Sequence, residues 1–292
     1  MTWLVIGGSG QLGQALSRIM IGKKIQFIAL NSRQLDITNA DQCLKLVMKI
    51  KPDVIINAAA WTDVEGAEVN DSKAFAVNAI GVKNLTLAAM QVQAVFVHLS
   101  TDYVFSGARK YPWGEYDAKS PQSVYGKSKS AGEDFVLELY KEKSYIFRTA
   151  WLYSPWGKNF AKTMFNLAVN TDNQIKVVND QKGQPTSALD LADQIVNSIL
   201  ISLPYGIYHA TNSGEASWFD FALEIFKLTN MDESRVEPVS SLEYCQSVQR
   251  PIYSVLGHDS WSQASTKGER LEPMKNWKTA LSETFPLIRS KY

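Results

Sequence analysis

Trp3-Leu4-Val5-Ile6-Gly7-Gly8-Ser9-Gly10-Gln11-Leu12-Gly13 is the stretch that decides the fold. Four apolar residues lead into Gly7-x-x-Gly10-x-x-Gly13, and a helical pattern follows from Gln14 to Ile21. Glycines let the backbone turn tightly and approach a pyrophosphate, and the N-terminus of the next helix then faces that anion. A tight turn in any α/β protein would also contain glycines, but a strand before the turn and a helix after it favour a dinucleotide site.

Short β-rich runs alternate with helical patterns over the first two-thirds of the chain. This alternation predicts an α/β fold, a Rossmann-type doubly wound parallel sheet with helices on both faces. Beyond about residue 155 the pattern loosens, which suggests a smaller C-terminal substrate-binding lobe on the carboxyl ends of the strands. We assign residues 1–155 to the dinucleotide-binding core and 156–292 mainly to the substrate lobe, with some segments returning to the core. The predicted strands are 3–6, 25–30, 54–56, 95–99, 145–147, 177–178 and 207–209, and the predicted helices are 14–21, 40–50, 72–90, 124–140, 189–203 and 218–228.

Composition excludes several classes of protein. Of 292 residues, 45% are hydrophobic and 20% are charged, and the formal net charge is +1, so neither nucleic acid nor an anionic membrane surface is an expected partner. Cys43 and Cys245 form no disulfide framework or metal spacing, which favours a reduced, cytoplasmic setting. The apolar N-terminus is interrupted at once by glycines, so we interpret it as a strand rather than a signal peptide.

Tyr125-Gly126-Lys127-Ser128-Lys129 carries the expected chemistry. On a helix, Tyr125 and Lys129 lie one turn apart on the same face. A phenol has a pKa near 10, and a neighbouring ammonium favours the phenolate and lowers that pKa. Thr101 lies upstream at the end of an apolar run and supplies a hydroxyl that can orient a carbonyl oxygen. A partly buried tyrosine beside a surface lysine is the plainer alternative, but the order of glycine turn, threonine and tyrosine favours an oxidoreductase acting on a carbonyl or alcohol.

The end of the second predicted strand bears on the choice of cofactor. Leu30 is followed by Asn31-Ser32-Arg33, so no carboxylate stands where one would hold the ribose 2′-hydroxyl. Arg33 can meet a 2′-phosphate instead, or it is simply a solvated loop charge. We expect NADPH to be accepted at least as well as NADH, and we place Asp36 on the adenine side.

Several segments resemble the extended short-chain dehydrogenase/reductase superfamily, beginning with Asn57-Ala58-Ala59-Ala60 and Asn78. Within it, the chain resembles the dTDP-4-dehydrorhamnose reductase family over nearly its whole length. The segments that carry this resemblance are Ser100-Thr101-Asp102-Tyr103-Val104-Phe105, Tyr125 to Lys129 with Gly132-Glu133, Arg148 to Tyr153, Gly183-Gln184-Pro185-Thr186, Ser217-Trp218-Phe219 and Arg250-Pro251.

The resemblance implies reduction of the 4-keto group of dTDP-4-dehydro-L-rhamnose to dTDP-L-rhamnose with NAD(P)H, within dTDP-rhamnose and polysaccharide (O antigen) biosynthesis. It makes Tyr125 the proton donor, Lys129 the group that lowers its pKa and holds the nicotinamide ribose, and Thr101 the group that orients the carbonyl. The expected cofactor-binding residues are Gly7, Gly10, Gln11, Leu12, Gly13, Arg33, Asp36, Ile37, Ala58, Ala59, Ala60, Trp61, Thr62, Leu99, Tyr125 and Lys129. The expected substrate-binding residues are Val64, Thr101, Asp102, Tyr103 and Trp151.

Trp151 has a chemical reason for its place in this set, because an indole face packs well against an apolar sugar face. A core tryptophan at a strand end is the alternative. Some members of the family form a metal-linked dimer, but no convincing carboxylate cluster lies near Gln14, so we expect no metal, and a homodimer only by resemblance. Two other functions stay open: a non-catalytic dinucleotide-binding subunit resembling the regulatory subunit of methionine adenosyltransferase, and a reductase that forms dTDP-6-deoxy-L-talose.

Overall fold

The computed structural model describes residues 1–244, 248–263, 265–266 and 269–290. The opening stretch folds as a strand, a glycine turn and a helix, and the helix begins at Gln11, directly after Gly10. Cys245 lies outside the described residues. The elements of the first half are β1 (Thr2–Ile6), α1 (Gln11–Gly22), β2 (Gln26–Leu30), α2 (Ala40–Ile50), β3 (Val54–Asn57), α3 (Val64–Val69), α4 (Asp71–Phe75), α5 (Gly81–Gln91), β4 (Val95–Thr101), α6 (Val124–Tyr140) and β5 (Ser144–Thr149).

The second half has shorter strands, as the loosened sequence pattern indicates. Its elements are β6 (Leu152–Tyr153), α7 (Phe160–Asn170), β7 (Ile175–Val178), β8 (Lys182–Gly183), β9 (Thr186–Ser187), α8 (Ala188–Leu200), β10 (Gly206–His209), β11 (Ala216–Ser217), α9 (Trp218–Leu228), β12 (Val236–Val239), α10 (Asp259–Gln263), β13 (Ser265–Thr266), β14 (Glu269–Arg270) and α11 (Trp277–Arg289).

A six-stranded parallel sheet in the order β10-β5-β4-β3-β1-β2 forms the centre of the molecule. Both of its faces are buried, which explains why the strands are continuous apolar runs. In β1, Trp3 and Val5 point into one hydrophobic cluster, and Leu4 and Ile6 point into the other. The predicted Rossmann-type parallel sheet is confirmed.

Each face of the sheet is covered by a different set of helices. On one face α1 and α8 supply buried residues such as Leu16 and Ile195. On the other, α2, α5 and α6 supply Val47, Leu85 and Val136. α8 comes from the second half of the chain, and β10, which follows it, pairs with β5. Two segments beyond residue 155 therefore complete the core.

A third hydrophobic cluster lies in the second half of the chain. It joins α7, α9 and α11 through large buried aromatic residues, among them Phe165, Phe221 and Trp277. Short parallel strands β7 and β12 pair beside it. This separate core gives the second half of the chain its own support next to the sheet.

The predicted helix 72–90 is interrupted by a π-helical turn at Ala76–Ile80, between α4 and α5. Asn78 lies in this turn and is fully buried. Its amide accepts from Trp61 N (2.8 Å) and donates to Trp61 O (3.0 Å). The widened turn therefore binds the loop that follows β3, which a uniform helical pattern does not reveal.

Within the described residues, no helix combines the length and the apolar character needed to cross a bilayer.

Candidate active site

A cleft of about 610 Å³ opens at the carboxyl ends of the central strands. This is where a doubly wound sheet places its ligands. Most of the residues predicted from the sequence meet there. Those that line the cleft are Gly10, Gln11, Leu12, Ala58, Ala60, Thr62, Val64, Leu99, Thr101, Asp102, Tyr103, Tyr125, Lys129 and Trp151.

The glycine turn is shaped for close backbone contact. Gly7 has a φ of +82°, and a Cβ added there would lie 2.7 Å from Ala59 N. A Cβ added at Gly13 would collide with the carbonyl oxygen of Gly7. Gly7 and Gly13 therefore bring strand and helix together rather than line the cleft.

The N-terminus of α1 is open toward the cleft. Its N-cap residue, Gly10, has no side chain to bond the first amides, and the first turn carries no acidic residue. The unpaired amides and the helix dipole together attract an anion such as a pyrophosphate. The residues present thus fit a dinucleotide.

Three predicted cofactor residues do not line the cleft. Arg33 and Asp36 are exposed beyond the end of β2, and Ile37 is buried. Asn31 Oδ1 accepts from Arg33 N (3.0 Å) and so fixes the turn. Asp36 Oδ1 is already bonded to the Thr38 hydroxyl (2.8 Å), which leaves its other oxygen for the adenine amino group that we expected there.

Alternate residues of the loop after β3 line the cleft. Ala58, Ala60 and Thr62 line the cleft, whereas Ala59 packs against the glycine turn and Trp61 is held by Asn78. Because Ala59 and Trp61 do not line the cleft, the structure brings three of the five predicted residues of this segment into the site.

The three predicted catalytic side chains meet at one wall of the cleft. Thr101 ends β4, and Tyr125 and Lys129 lie on the first turns of α6, whose N-cap Ser123 accepts from Gly126 N (3.1 Å). Lys129 is 2% exposed and its Nζ donates to Leu99 O (2.5 Å). The sheet and the helix thus hold hydroxyl, phenol and ammonium side by side.

Burial dominates the electrostatics of this wall. It raises the pKa of Tyr125 to about 12, while a hydrogen bond with Thr101 lowers it and the Asp102 charge raises it. Burial lowers the pKa of Lys129 to about 8, against the raising effect of the Glu133 carboxylate. The Lys129 charge is not among the causes that shift the pKa of Tyr125, and the lowering of the phenol's pKa by the lysine stays a prediction.

Asp102 also lines the cleft. It is 2% exposed, and burial raises the pKa of its carboxyl to about 6. The Thr101 hydroxyl donates to its Oδ1 (2.9 Å). Thr101 therefore stands between a carboxyl and the phenol of Tyr125.

A buried ion pair lies behind the catalytic helix. Glu133, one turn after Lys129, accepts from Arg148 Nε (2.8 Å) and Nη2 (2.7 Å), and Lys119 Nζ lies 3.4 Å from its Oε2. Sequence reasoning gave these residues no role, although a glutamate four residues after a lysine is the spacing that brings both to one helix face.

Other lining residues were also missed by the chemical argument. Trp218 and Arg250 belong to segments that carry the family resemblance, but nothing in their sequence context indicated a cleft. Asn159 could have been found as the N-cap of α7; its amide and the Ser154 hydroxyl both bond Gln11 Oε1 at 2.9 Å. The cleft residues not predicted as site residues are Ser9, Ser100, Thr149, Ala150, Leu152, Gly157, Lys158, Asn159, Trp218 and Arg250.

Trp151 lines the cleft in an unusual conformation. Its φ is +45°, a left-handed value that is uncommon for a bulky residue. Its ring stacks on Trp218 with 3.6 Å between centroids and 9° between planes. One indole face is thereby covered.

Among the described residues, no group of three or more His, Cys, Asp or Glu side chains is arranged to hold a metal ion.

Comparisons with known proteins show the family to which the chain belongs. A family model described as the RmlD substrate binding domain matches residues 1–289. A dTDP-4-dehydrorhamnose reductase from Streptomyces griseus is 41% identical over 290 residues, which cover 98% of this chain and 93% of the relative. A dTDP-4-keto-6-deoxy-D-glucose reductase from Streptomyces niveus is 40% identical, with coverage of 99% and 98%.

Solved structures extend the match to three dimensions. The structure of dTDP-4-dehydrorhamnose reductase from Bacillus anthracis in complex with NADP has a TM-score of 0.92 and 39% identity, and the match covers 98% of each chain. Family model, sequence relatives and solved structure thus agree over nearly the full length. The chain therefore belongs to the RmlD substrate-binding-domain family and is an oxidoreductase of the dTDP-4-dehydrorhamnose reductase type.

Proposed function

We propose that this protein reduces the 4-keto group of dTDP-4-dehydro-L-rhamnose to give dTDP-L-rhamnose, with NADPH as the reductant. The observation that carries the proposal is the meeting of Thr101, Tyr125 and Lys129 at one wall of a cleft. The open N-terminus of α1 lies in the same cleft. The names of the relatives support the sugar nucleotide as substrate.

Tyr125 acts as the proton donor. Because burial raises its pKa to about 12, the phenol is protonated at neutral pH and ready to donate. Bound NADPH supplies the hydride to the carbonyl carbon. Thr101 orients the carbonyl oxygen beside the phenol. Its one hydroxyl proton is donated to Asp102 Oδ1, so the hydroxyl has to turn from Asp102 to the carbonyl oxygen when the substrate binds.

Lys129 acts after the proton has left. With a pKa of about 8 it is mostly protonated at neutral pH, so its charge stabilises the phenolate that forms one helical turn away. It also offers hydrogen bonds to the nicotinamide ribose. In this assignment the lysine charge lowers the pKa of Tyr125, because any charge that stabilises the phenolate lowers the pKa of the phenol.

In this proposal the two parts of the chain bind different ligands. Residues 1–155 bind the dinucleotide, and residues 156–292 mainly bind the sugar nucleotide, together with Val64, Asp102 and Tyr103. Arg33 is the proposed partner of the 2′-phosphate, because Gly7 N and Gly8 N both donate to Leu30 O and so place the end of β2 beside the glycine turn. Arg33→Ala is expected to raise the KM for NADPH roughly fivefold, as for an exposed ion pair, and to leave the KM for NADH unchanged.

Turnover with both cofactors tests the proposal. Oxidation of NADPH is followed with dTDP-4-dehydro-L-rhamnose, and NMR of the product distinguishes dTDP-L-rhamnose from dTDP-6-deoxy-L-talose. The unepimerised dTDP-4-keto-6-deoxy-D-glucose is run in parallel, because a relative at 40% identity carries the name of that reductase. Tight cofactor binding without turnover of either sugar would support the non-catalytic alternative.

A further inference from the structure

Glu68 lies where the physics of its own helix disfavours a glutamate. It is exposed and is the last residue but one of α3, whose last turn carries no basic residue. A carboxylate near the C-terminus of a helix opposes the helix dipole, and alanine forms helix better than glutamate. The helix α3 itself gains no stability from Glu68, so the reason for this residue lies in a contact outside α3.

That contact is with the first turn of the helix that carries Tyr125. Val124 is the first residue of α6, and its N–H donates to Glu68 Oε1 at 2.8 Å, across 56 positions of the chain. The first amides of a helix have no partner within the helix, and a negative charge is favourable beside them. The carboxylate that is unfavourable at the end of α3 is therefore favourable at the start of α6.

Tyr125 follows Val124 directly, so the place of this first turn sets the place of the phenol. On the side of β4 the turn is packed closely. A Cβ added to Gly126 would collide with the carbonyl oxygen of Tyr103, and the Tyr103 ring meets the Tyr125 ring edge-on with 5.5 Å between centroids. Glu68 holds the same turn from the side of α3, so the turn is fixed from two directions.

The helix α3 is a firm support for this contact. Ala67, next to Glu68, is fully buried. One turn earlier, Glu65 Oε1 forms an ion pair with Arg250 Nη2, and Arg250 lines the cleft. Two carboxylates of one short helix therefore reach the start of the catalytic helix and the C-terminal wall of the cleft.

We propose that Glu68 is a positioning residue for the reaction: its carboxylate fixes the first turn of α6 and thereby aligns the Tyr125 phenol with the substrate carbonyl. The proposal rests on the proposed function, since it takes Tyr125 to be the proton donor. Alignment matters because a displacement of about 1 Å can cost about 10²-fold in rate. Glu68 does not line the cleft, so its effect on turnover passes through Tyr125.

Two substitutions separate the hydrogen bond from the charge of the side chain. Glu68→Ala removes the acceptor and is expected to lower kcat about tenfold, with the KM values for NADPH and the keto sugar within about twofold of wild type. Glu68→Gln retains an oxygen that can accept from Val124 N, so its kcat should stay within about threefold of wild type. Glu138→Ala is the matched control, because Glu138 is an exposed glutamate on α6 itself.

A double substitution tests whether Glu68 acts through the phenol. In the Tyr125→Phe background, Glu68→Ala should lower the residual turnover by less than about twofold, because the group that Glu68 aligns is already gone. A tenfold loss in this background as well would overturn the proposal. So would a kcat for the single variant Glu68→Ala within twofold of wild type.

Hydrogen exchange by NMR observes the contact without any substrate. The Val124 amide should exchange about tenfold faster in Glu68→Ala than in wild type, and at close to the wild-type rate in Glu68→Gln and Glu138→Ala. Unchanged exchange in Glu68→Ala would show that Glu68 does not hold the turn. Faster exchange with unchanged kcat would show that the contact forms without positioning the phenol.

The same measurements distinguish this proposal from the proposed function. If the wild-type protein binds NADPH but does not turn over the keto sugar, the proposed function fails, whatever the exchange rate of the Val124 amide. If the wild-type protein turns the sugar over and Glu68→Ala keeps both its kcat and its exchange rate, only the role of Glu68 fails.

Discussion

Replacing Lys129 by methionine should make the protein more stable near neutral pH while it removes activity. Lys129 is 2% exposed, and burial lowers its pKa from 10.5 to about 8. When the pKa of a lysine falls on folding, the charged lysine destabilises the folded state at every pH at which the folded protein keeps the proton. Methionine has a similar length and carries no charge, so it fits the same apolar site.

The size of the effect follows from the pKa difference. Below pH 8 the folded protein carries the charge at a cost of about 3 kcal/mol, at 1.36 kcal/mol per pKa unit. Between pH 8 and 10.5 the folded state loses the proton while the unfolded state retains it, so this cost disappears as pH rises. The lost bond to Leu99 O offsets about 1 kcal/mol. The free energy of unfolding of Lys129→Met should therefore be about 2 kcal/mol higher than that of wild type at pH 7. Above pH 10.5 it should be about 1 kcal/mol lower than that of wild type.

Thermal unfolding of the ligand-free protein at a series of pH values checks this. At pH 7 the Tm should rise by about 4 °C, and the difference should shrink and change sign toward pH 10.5. Lys127→Met is the matched control, since Lys127 lies on the same helix but is exposed. A Tm below wild type at pH 7, or a difference that does not change with pH, would refute the reasoning.

Three further substitutions test other parts of the site. Tyr125→Phe should lower kcat by a factor of roughly 10²–10⁴, as for loss of a general acid, with NADPH affinity by fluorescence titration unchanged; substantial remaining turnover would place the proton donor elsewhere. Glu133→Gln leaves the Arg148 guanidinium buried without its carboxylate, so the free energy of unfolding should fall by about 3–5 kcal/mol in urea denaturation, and a loss below 1 kcal/mol would contradict the ion pair's importance. Gly13→Ala pushes a methyl group into the backbone of Gly7 and should weaken NADPH binding roughly tenfold or more, whereas unchanged affinity would show that the turn can widen.

The central fold could be predicted because its signals are local. Five apolar runs alternate with helical patterns, and their order along the chain dictates a parallel sheet. The boundaries of α2, α6 and α9 match the predictions to the residue. The π-helical turn was missed because it arises from the contact of Asn78 with a loop 17 residues away, which periodicity does not encode.

The site could be predicted in part for a similar reason. Thr101, Tyr125 and Lys129 follow from spacing and strand ends, so sequence suffices to place them together. The environment of Trp151 depends on Gly183 and Trp218, which lie on strand and helix ends far along the chain. The electrostatic balance at Tyr125 also depends on burial, which only the folded protein reveals.

The pairing of β10 with β5 has a consequence for synthesis on the ribosome. Until residues 206–209 emerge, the edge of β5 has no partner, and α1 lacks the helix that covers it. At roughly 5–20 residues per second, the nascent chain exposes this edge for several seconds or more. A chain that stops after Pro155 retains the open edge permanently, so it should be recovered as aggregate or bound to chaperone when expressed. The catalytic residues are thus translated well before the strand that protects the sheet they stand on.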